Sequence, residues 1–484
     1  SLKEIISRLE YIDNIGLGYL TLQRKTNSLS GGEFQRIKLA TSIGSALVGS
    51  LYVLDEPTVG LHPYNTSKLI DILRSLKNLG NSVLIVEHDE DVIMASDYLV
   101  DIGPGAGNNG GNIMYCGDTN KVTSKTKGPT AEFIFNKDLE YDSNPRKINK
   151  HISLKGASQN NLKNINIKIP LECLVVVTGV SGSGKSTLIK QILYPAIAKR
   201  LEIKFEKEGN YKSLGGSLDS IDNIEIVDQN PIGRSSRSNP ATYSKAYDSI
   251  RKIFSSEGNS QGIEIKPSDF SFNVDGGRCE DCLGEGTKKI EMQFMADIYL
   301  ECDTCKGKRF KNKVLEIKIK KKNIYDVLKM TIEEALTFFS FSKSIQNKLT
   351  PLNDVGLGYL TLGQSSSTLS GGEAQRLKLA SYLGDDNKKN KNKTLFIFDE
   401  PTSGLHNKDI ANFMSSIFRL VDLGNSVIII EHNTELIKQA DWIIDLGPGG
   451  GEKGGEICFE GTPKDLVQTQ NNKTAKYLKK HFVN

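Results

Sequence analysis

Gly179-Val180-Ser181-Gly182-Ser183-Gly184-Lys185-Ser186 follows directly on the apolar run Leu174-Val175-Val176-Val177, and a helical pattern opens at Thr187-Leu188-Ile189. Strand, glycine-rich turn and helix, in that order, are the setting in which a Gly-x4-Gly-Lys-Ser stretch has a mechanism. The glycines let successive backbone N–H groups turn inward around a β-phosphate. Lys185 adds a point charge at the β and γ oxygens, and the Ser186 hydroxyl is placed to ligate Mg2+. The candidate nucleotide contacts are Gly179, Ser181, Gly182, Ser183, Gly184, Lys185, Ser186 and Thr187.

Working outward, Asp399 and Glu400 end a second apolar run, Leu395-Phe396-Ile397-Phe398. An aspartate at the carboxyl end of a buried strand can hold the water shell of Mg2+, and a glutamate after it can polarise an attacking water. Consecutive strand residues face opposite ways, so both reach one site only because the strand is ending there. His432 follows the next apolar run and is a candidate contact to the γ-phosphate; Gln229, after Glu225-Ile226-Val227, is a candidate sensor of metal or water.

Much of this occurs twice. Gly16-Leu17-Gly18-Tyr19-Leu20-Thr21-Leu22 returns as Gly356-Leu357-Gly358-Tyr359-Leu360-Thr361-Leu362, and Leu29-Ser30-Gly31-Gly32-Glu33 as Leu369-Ser370-Gly371-Gly372-Glu373. Asp55-Glu56-Pro57-Thr58 matches Asp399-Glu400-Pro401-Thr402, and Glu87-His88 matches Glu431-His432. The phosphate-loop pattern occurs once. Leu51-Tyr52-Val53-Leu54, the helical pattern Thr66 to Leu79 and Ser82-Val83-Leu84-Ile85-Val86 make a strand–helix–strand unit in the first copy. The fold expected is α/β, with residues 1–125 as the later part of a first cassette, 126–150 as a polar linker and 151–484 as a second cassette. An insertion of about 205–350 interrupts the second cassette, and the Lys/Asn stretch Asp385 to Lys393 reads as a solvated loop.

Cys279-x2-Cys282 and Cys302-x2-Cys305 offer four thiolates, a set suited to a closed tetrahedral Zn2+ site without a catalytic opening. Between them Ile290, Met292, Phe294, Ala296, Ile298 and Leu300 alternate as a half-buried hairpin or a long strand would. Cys116, Cys173 and Cys458 read as small buried apolar residues. Seven cysteines arranged this way favour a reducing compartment over a disulfide framework. Net charge is +4, which permits nucleic-acid binding without arguing for it. Lys306, Lys308 and Arg309 cluster after the second cysteine pair, and Arg234 and Arg237 precede the first; all five are candidate phosphate contacts, against the alternative of an ordinary solvated surface. No apolar run has the length of a membrane span.

Leu-Ser-Gly-Gly-Glu, a phosphate loop, Asp-Glu-Pro and a downstream histidine together resemble the ATP-binding-cassette ATPases. That resemblance implies that the Ser-Gly-Gly of one cassette closes over nucleotide held by the other. Ser30, Gly31 and Gly32 would then complete the site of Lys185, Ser186, Gln229, Asp399, Glu400 and His432. Asp55, Glu56 and His88 with Ser370, Gly371 and Gly372 would be half of another site, its phosphate loop expected upstream of residue 1. The zinc module narrows the likeness. Gln229-Asn230-Pro231-Ile232-Gly233-Arg234, Arg237-Ser238-Asn239-Pro240-Ala241-Thr242-Tyr243 and Cys-x-x-Cys-x-Gly-x-Gly are similar to the bacterial UvrA family of excinuclease subunits. This implies a cytoplasmic, homodimeric, DNA-binding ATPase that recognises distorted duplex DNA in nucleotide excision repair and loads a UvrB-like partner, with ATP, Mg2+ and Zn2+. The alternatives within reach of the same motifs are a self-resistance ATPase of an antibiotic producer and, more remotely, the ATPase subunit of a transporter.

Overall fold

The computed structural model describes residues 2–26, 31–43, 48–105, 107, 110–135, 146–228, 237–292, 298–384, 393–402, 405 and 407–482. The chain divides into two compact units, one of 1–105, 109–228 and 391–484, the other of 106–108 and 229–390.

In chain order the strands of the first unit are β1 (Leu51–Asp55), β2 (Ser82–Val86), β3 (Tyr98–Gly103), β4 (Asn112–Asp118), β5 (His151–Ala157), β6 (Ile165–Pro170), β7 (Leu174–Gly179), β8 (Ser213–Gly216) and β9 (Asn223–Val227). The second unit holds β10 (Thr287–Ile290) and β11 (Ile298–Glu301), and the chain returns to the first unit for β12 (Thr394–Asp399), β13 (Ser426–Ile430), β14 (Trp442–Gly447) and β15 (Glu456–Gly461).

The sheet that matters most runs β15-β14-β7-β13-β12-β9, with β14, β7, β13, β12 and β9 mutually parallel and β15 antiparallel at the edge. Every residue of β7 is buried, as a central strand of a parallel sheet requires when both faces are covered. This explains why its sequence is a continuous apolar run rather than an alternation. Leu188, Ile189, Ile192 and Leu193 of the following helix pack with Val175 and Val177 in one core. A second, antiparallel sheet, β6-β5-β8, adds Ile152, Leu154, Ile167 and Ile169 to that core.

The first copy repeats four strands of the second, β1 to β4 answering to β12 to β15. β1 pairs parallel with β2 in the register that β12 keeps with β13, Leu51 opposite Ser82 and Leu395 opposite Ser426. β3 pairs antiparallel with β4 as β14 does with β15. In the second copy β7 lies between β13 and β14; among the described residues of the first copy no strand lies between β2 and β3. Their side chains differ accordingly. Leu84 is 54% exposed where its counterpart Ile428 is 1% exposed.

Two expectations are corrected. Cys173 is buried, but Cys116 on β4 and Cys458 on β15 are exposed, because both lie on outer antiparallel strands and not in the parallel core. The hairpin between the cysteine pairs forms, yet Ile290, Ile298 and Leu300 are exposed rather than half-buried, since among the described residues β10 and β11 make a two-stranded ribbon with no further strand beside them. Phe294, Ala296, residues 136–145 of the linker and most of the Lys/Asn stretch lie outside the described residues.

The second unit is largely helical, with helices Ala246–Ser260, Lys343–Asp354 and Gly371–Leu383. Phe254, Phe270, Phe272 and Phe310 are buried, and the Tyr247 ring stacks on Phe272 at 4.9 Å.

Candidate nucleotide site and metal centre

A parallel sheet delivers the carboxyl ends of its strands to one edge, and ligands of open α/β sheets bind outside that edge. Here β7 ends in the phosphate loop, β12 in Asp399 and Glu400, β13 in Glu431 and His432, and β14 in the turn from Gly447. The sequence-predicted residues Gly179, Ser181, Gly182, Ser183, Gly184, Lys185, Ser186, Thr187, Asp399, Glu400 and His432 are therefore brought to one place by topology.

Lys185 is buried within the loop and its Nζ donates to the carbonyls of Gly179 at 2.8 Å and Val180 at 3.0 Å. Burial pulls its ammonium down to about 8, against the opposing pull of Glu400, Asp445 and Asp399. Asp399 forms an ion pair with Lys190, one turn into the helix after the loop. A carboxylate oxygen at a strand end is the hard donor type that Mg2+ takes, so Asp399 fits a divalent ion by its chemistry.

Glu400 adopts φ 46°, and its counterpart Glu56 adopts φ 43°. A left-handed backbone at a non-glycine residue is strained by about 1–3 kcal/mol and is retained where the surroundings demand it. It answers the geometric difficulty posed by two consecutive carboxylates: the chain turns at the glutamate, so its side chain comes round to the cleft. Both glutamates donate their backbone N–H at 2.9 Å to the strand alongside, Glu56 to Val86 and Glu400 to Ile430. Burial, then the Asp399 and Glu431 carboxylates, push the Glu400 carboxyl up to about 7. His432 Nε2 lies 3.9 Å from Glu400 Oε1, and burial holds its imidazole neutral, well below its ordinary range. In the first copy His88 Nε2 is 3.4 Å from Glu56 Oε1, and that hydrogen bond raises the His88 pKa.

The first copy reaches into this site. Gly60, at φ 69°, lies so close to Glu400 that a Cβ there would meet Oε2 at 2.9 Å. The Ser181 hydroxyl approaches the Gly60 carbonyl at 3.5 Å. One cleft is lined by Glu56, Thr58, Gly60 and His88 from the first copy and by Glu400, Thr402, Glu431 and His432 from the second. Gly31 and Gly32 open the helix Gly31–Ile43. Ser30, Gln229 and Arg234 lie outside the described residues. Ser370 caps the helix Gly371–Leu383 in the second unit through a reciprocal capping box with Glu373, with Gly371 and Gly372 as its first two residues. Asp55 ends β1 as Asp399 ends β12.

Several contributors escaped the sequence reading. The Glu431 carboxylate accepts from the backbone N–H of Thr402 at 3.1 Å, of His432 at 2.5 Å and of Asn433 at 3.1 Å, and from the Thr402 hydroxyl. Glu87 repeats the pattern, accepting from Thr58 N at 2.8 Å, Thr58 Oγ1 at 2.5 Å, His88 N at 2.9 Å and Asp89 N at 3.2 Å. These glutamates bind the ends of two strands together and thereby fix the catalytic candidates beside them. The turn after β14 braces the phosphate loop, Gly451 N donating to Gly182 O and Gly455 N to Ser183 O, both at 3.0 Å. Asn161 joins the two with Nδ2 bonds to Gly182 O at 3.0 Å and Gly451 O at 3.1 Å. His62, buried, has its Nδ1 occupied by the Tyr64 N–H at 3.1 Å, so Nε2 carries the proton and donates to Thr474 Oγ1 at 3.1 Å; Thr474 in turn donates to Asp445 at 2.9 Å. For Glu87, Glu431, His62 and the turn after β14 the signal was repetition: Gly60-Leu61-His62 recurs as Gly404-Leu405-His406, and Asp101 to Gly105 as Asp445 to Gly449 with one substitution, whereas Asn161 has no counterpart in the first copy.

In the second unit Cys279, Cys282, Cys302 and Cys305 are buried with their sulfurs all within 4.8 Å of one another. Cys279 and Cys302 sulfurs are 4.0 Å apart, and Cys282 and Cys305 sulfurs 3.6 Å. Four thiolates about 2.3 Å from a tetrahedral Zn2+ stand about 3.8 Å from each other, so the cluster fits that ion. The β10–β11 ribbon closes the two pairs onto each other, and Gly286 N–H donates to Cys282 Sγ at 3.2 Å. Lys306 and Lys308 nearby are exposed. Arg309 is half-buried, donating to Gly363 O at 3.1 Å with its guanidinium 5.6 Å over the Phe272 ring, and Arg237 faces Glu285 at 3.6 Å.

A phosphate loop on a parallel sheet, an Asp-Glu pair on the next strand but one and a histidine on the strand between define the ATP-binding-cassette class. A solved archaeal Pelota–ABCE1 assembly shares this fold with a TM-score of 0.53 at 17% identity, over 96% of this chain and 60% of its own. Within the class, the chain is similar to proteins of the UvrA type. It is 51% identical over 99% of its length to UvrABC system protein A of Clostridium acetobutylicum, covering 51% of that protein, and 52% identical to that of Clostridium perfringens, again over 99% of this chain and 51% of the relative. The crystal structure of UvrA2 from Deinococcus radiodurans superposes with a TM-score of 0.91 at 43% identity, over 99% of this chain and 58% of that one. A family model described as an AAA domain, putative AbiEii toxin, Type IV toxin–antitoxin system, matches residues 27–95. The chain spans about half the length of the curated relatives it matches.

Proposed function

We propose that the chain is the ATP-hydrolysing part of a DNA-damage recognition subunit of nucleotide excision repair. The observation that carries this reading is the conjunction of the composite cleft with high identity to UvrABC system protein A along the whole chain. In this reading the loop Gly179–Ser186 and Thr187 bind the phosphates, with Lys185 neutralising the β and γ oxygens. Glu400 orients and deprotonates the attacking water, and neutral His432 donates to the γ-phosphate. Ser186 and Asp399 would hold Mg2+, which when bound neutralises charge on the transferring phosphoryl group. Ser30, Gly31 and Gly32 close the site from the first copy, where amides at a helix start favour an anion. Glu56, His88, Ser370, Gly371 and Gly372 serve a second site with a phosphate loop not found in these 484 residues.

Zn2+ on the four cysteines would order the ribbon, with Lys306 and Lys308 offering charge to a DNA backbone. The DNA read would be distorted duplex, recognised by deformability rather than base identity. The full protein would act in the cytoplasm as a homodimer with a UvrB-like partner; among the described residues no helix is long and apolar enough to cross a membrane. The test is the ATPase response to DNA. Ultraviolet-damaged duplex should alter kcat or KM more than the same undamaged duplex, and identical responses would count against damage recognition by this chain.

A further inference from the structure

We infer that Tyr19 is a positioning residue of the nucleotide site, a strut that ties the phosphate loop of the second copy to the signature helix Gly31–Ile43 of the first. The inference rests on the nucleotide-site reading and deepens it.

Tyr19 makes contact at both ends. Its ring fills space that only glycine leaves open: a Cβ on Gly182, in the middle of the phosphate loop, would lie 2.9 Å from ring carbons. A Cβ on Gly450 would come within 3.0 Å of the ring, and one on Gly451 within 2.7 Å of Tyr19 Cβ, so the ring also touches the turn that braces the loop. At the far end its hydroxyl donates to Glu33 Oε1 at 2.5 Å. Glu33 is buried in the first turn of the signature helix. Burial, reinforced by Glu33, pushes the phenol well above its ordinary range, so the hydroxyl remains a donor.

The second copy reveals what such a glutamate does. Glu373 Oε1 accepts from Tyr359 at 2.5 Å while its Oε2 accepts from Ser370 N at 2.7 Å, so one carboxylate holds both the tyrosine and the helix cap. A rigid side chain with only two torsions, seated on the phosphate loop and bonded to the carboxylate at the signature helix start, keeps the two halves of a composite site in register. Displacement of either half then moves the other. Tyr359 supplies a matched comparison within the same molecule, since it makes the same 2.5 Å bond but its glycine neighbour is Gly107, 3.2 Å from a built Cβ, and no phosphate loop occurs in that repeat.

The experiment compares Tyr19→Phe, Glu33→Gln, Tyr359→Phe and Lys185→Ala in the full chain, using a fluorescent ATP analogue for binding and steady-state hydrolysis for kcat and KM. Tyr19→Phe keeps the ring and loses the bond to Glu33. It is expected to retain nucleotide affinity within about 2-fold and to lower kcat roughly 10-fold, the scale of one hydrogen bond to a charged group felt in the transition state. Glu33→Gln keeps a carbonyl oxygen able to accept from the Tyr19 hydroxyl and loses only the charge, so it should lower kcat less, and Tyr19→Phe with Glu33→Gln together should be no worse than Tyr19→Phe alone. Tyr359→Phe should leave kcat and KM at their starting values. Equal losses from Tyr19→Phe and Tyr359→Phe, or no loss from Tyr19→Phe while Lys185→Ala abolishes binding, would overturn the Tyr19 assignment alone. Undiminished binding by Lys185→Ala would overturn the site reading, and the strut with it.

Discussion

At the scale of single residues the site is governed by what burial does to charge. Glu400 is turned into the cleft by a left-handed backbone and sits beside Asp399 and Glu431, so its carboxyl is held up to about 7 instead of in the usual carboxylate range. A general base must be ionised to accept a proton. Hydrolysis should therefore rise as pH increases through about 7 and level off above it, in place of being flat from pH 5 upward. Glu400→Gln should lower kcat by about 10²- to 10⁴-fold with nucleotide affinity retained, and should remove that rising limb. A variant that keeps its rate, or keeps the limb, would assign the base elsewhere. His62 and His432 behave in the opposite sense, with burial holding both neutral. Neutrality suits His432 to donating one defined proton and suits His62 to the fixed relay through Thr474 to Asp445. The positions of Asp399, Glu400 and His432 at one sheet edge were legible because each follows an apolar run. Those of Tyr19, Glu431 and His62 were not, because their partners are settled by packing across long stretches of chain.

At the scale of elements the two copies are a controlled comparison. β1 and β2 repeat the register of β12 and β13, yet Leu84 stands 54% exposed where Ile428 is 1% exposed. A sequence window reads both as the same buried strand, since periodicity reports what a strand is able to bury, not what is present to cover it. The consequence for stability is direct. Ile428→Ala removes packed methyl groups from a close-fitting core and should cost about 2–5 kcal/mol. Leu84→Ala, at the equivalent place, should stay within about 0.5 kcal/mol. Urea midpoints of the two variants measure this, and equal losses would mean that the exposed face is covered in solution. The cysteine ribbon makes the same point: alternation in its sequence fits a hairpin and a long strand alike, and does not report that Ile290, Ile298 and Leu300 are exposed.

At the scale of the whole molecule, the repeat is a division of labour. The motifs that carry chemistry were plain in the sequence because they are contiguous and sit at strand ends. What was hidden is how closely the first copy packs against the second. Gly60 presses against Glu400, Tyr19 sits on the phosphate loop, and His62 reaches the helix Lys473–Leu478 and, through it, Asp445. These contacts link residues more than 100 positions apart, a range that no local pattern reports. The central claim is that these 484 residues build one nucleotide site, with its phosphate loop from the second copy and its closing surface from the first. Calorimetric titration of the chain with Mg2+ and a non-hydrolysable ATP analogue tests it most directly. One tight nucleotide per chain, lost in Lys185→Ala, is expected; two tight nucleotides per chain, or a single one that survives Lys185→Ala, would mean that the site is not built this way.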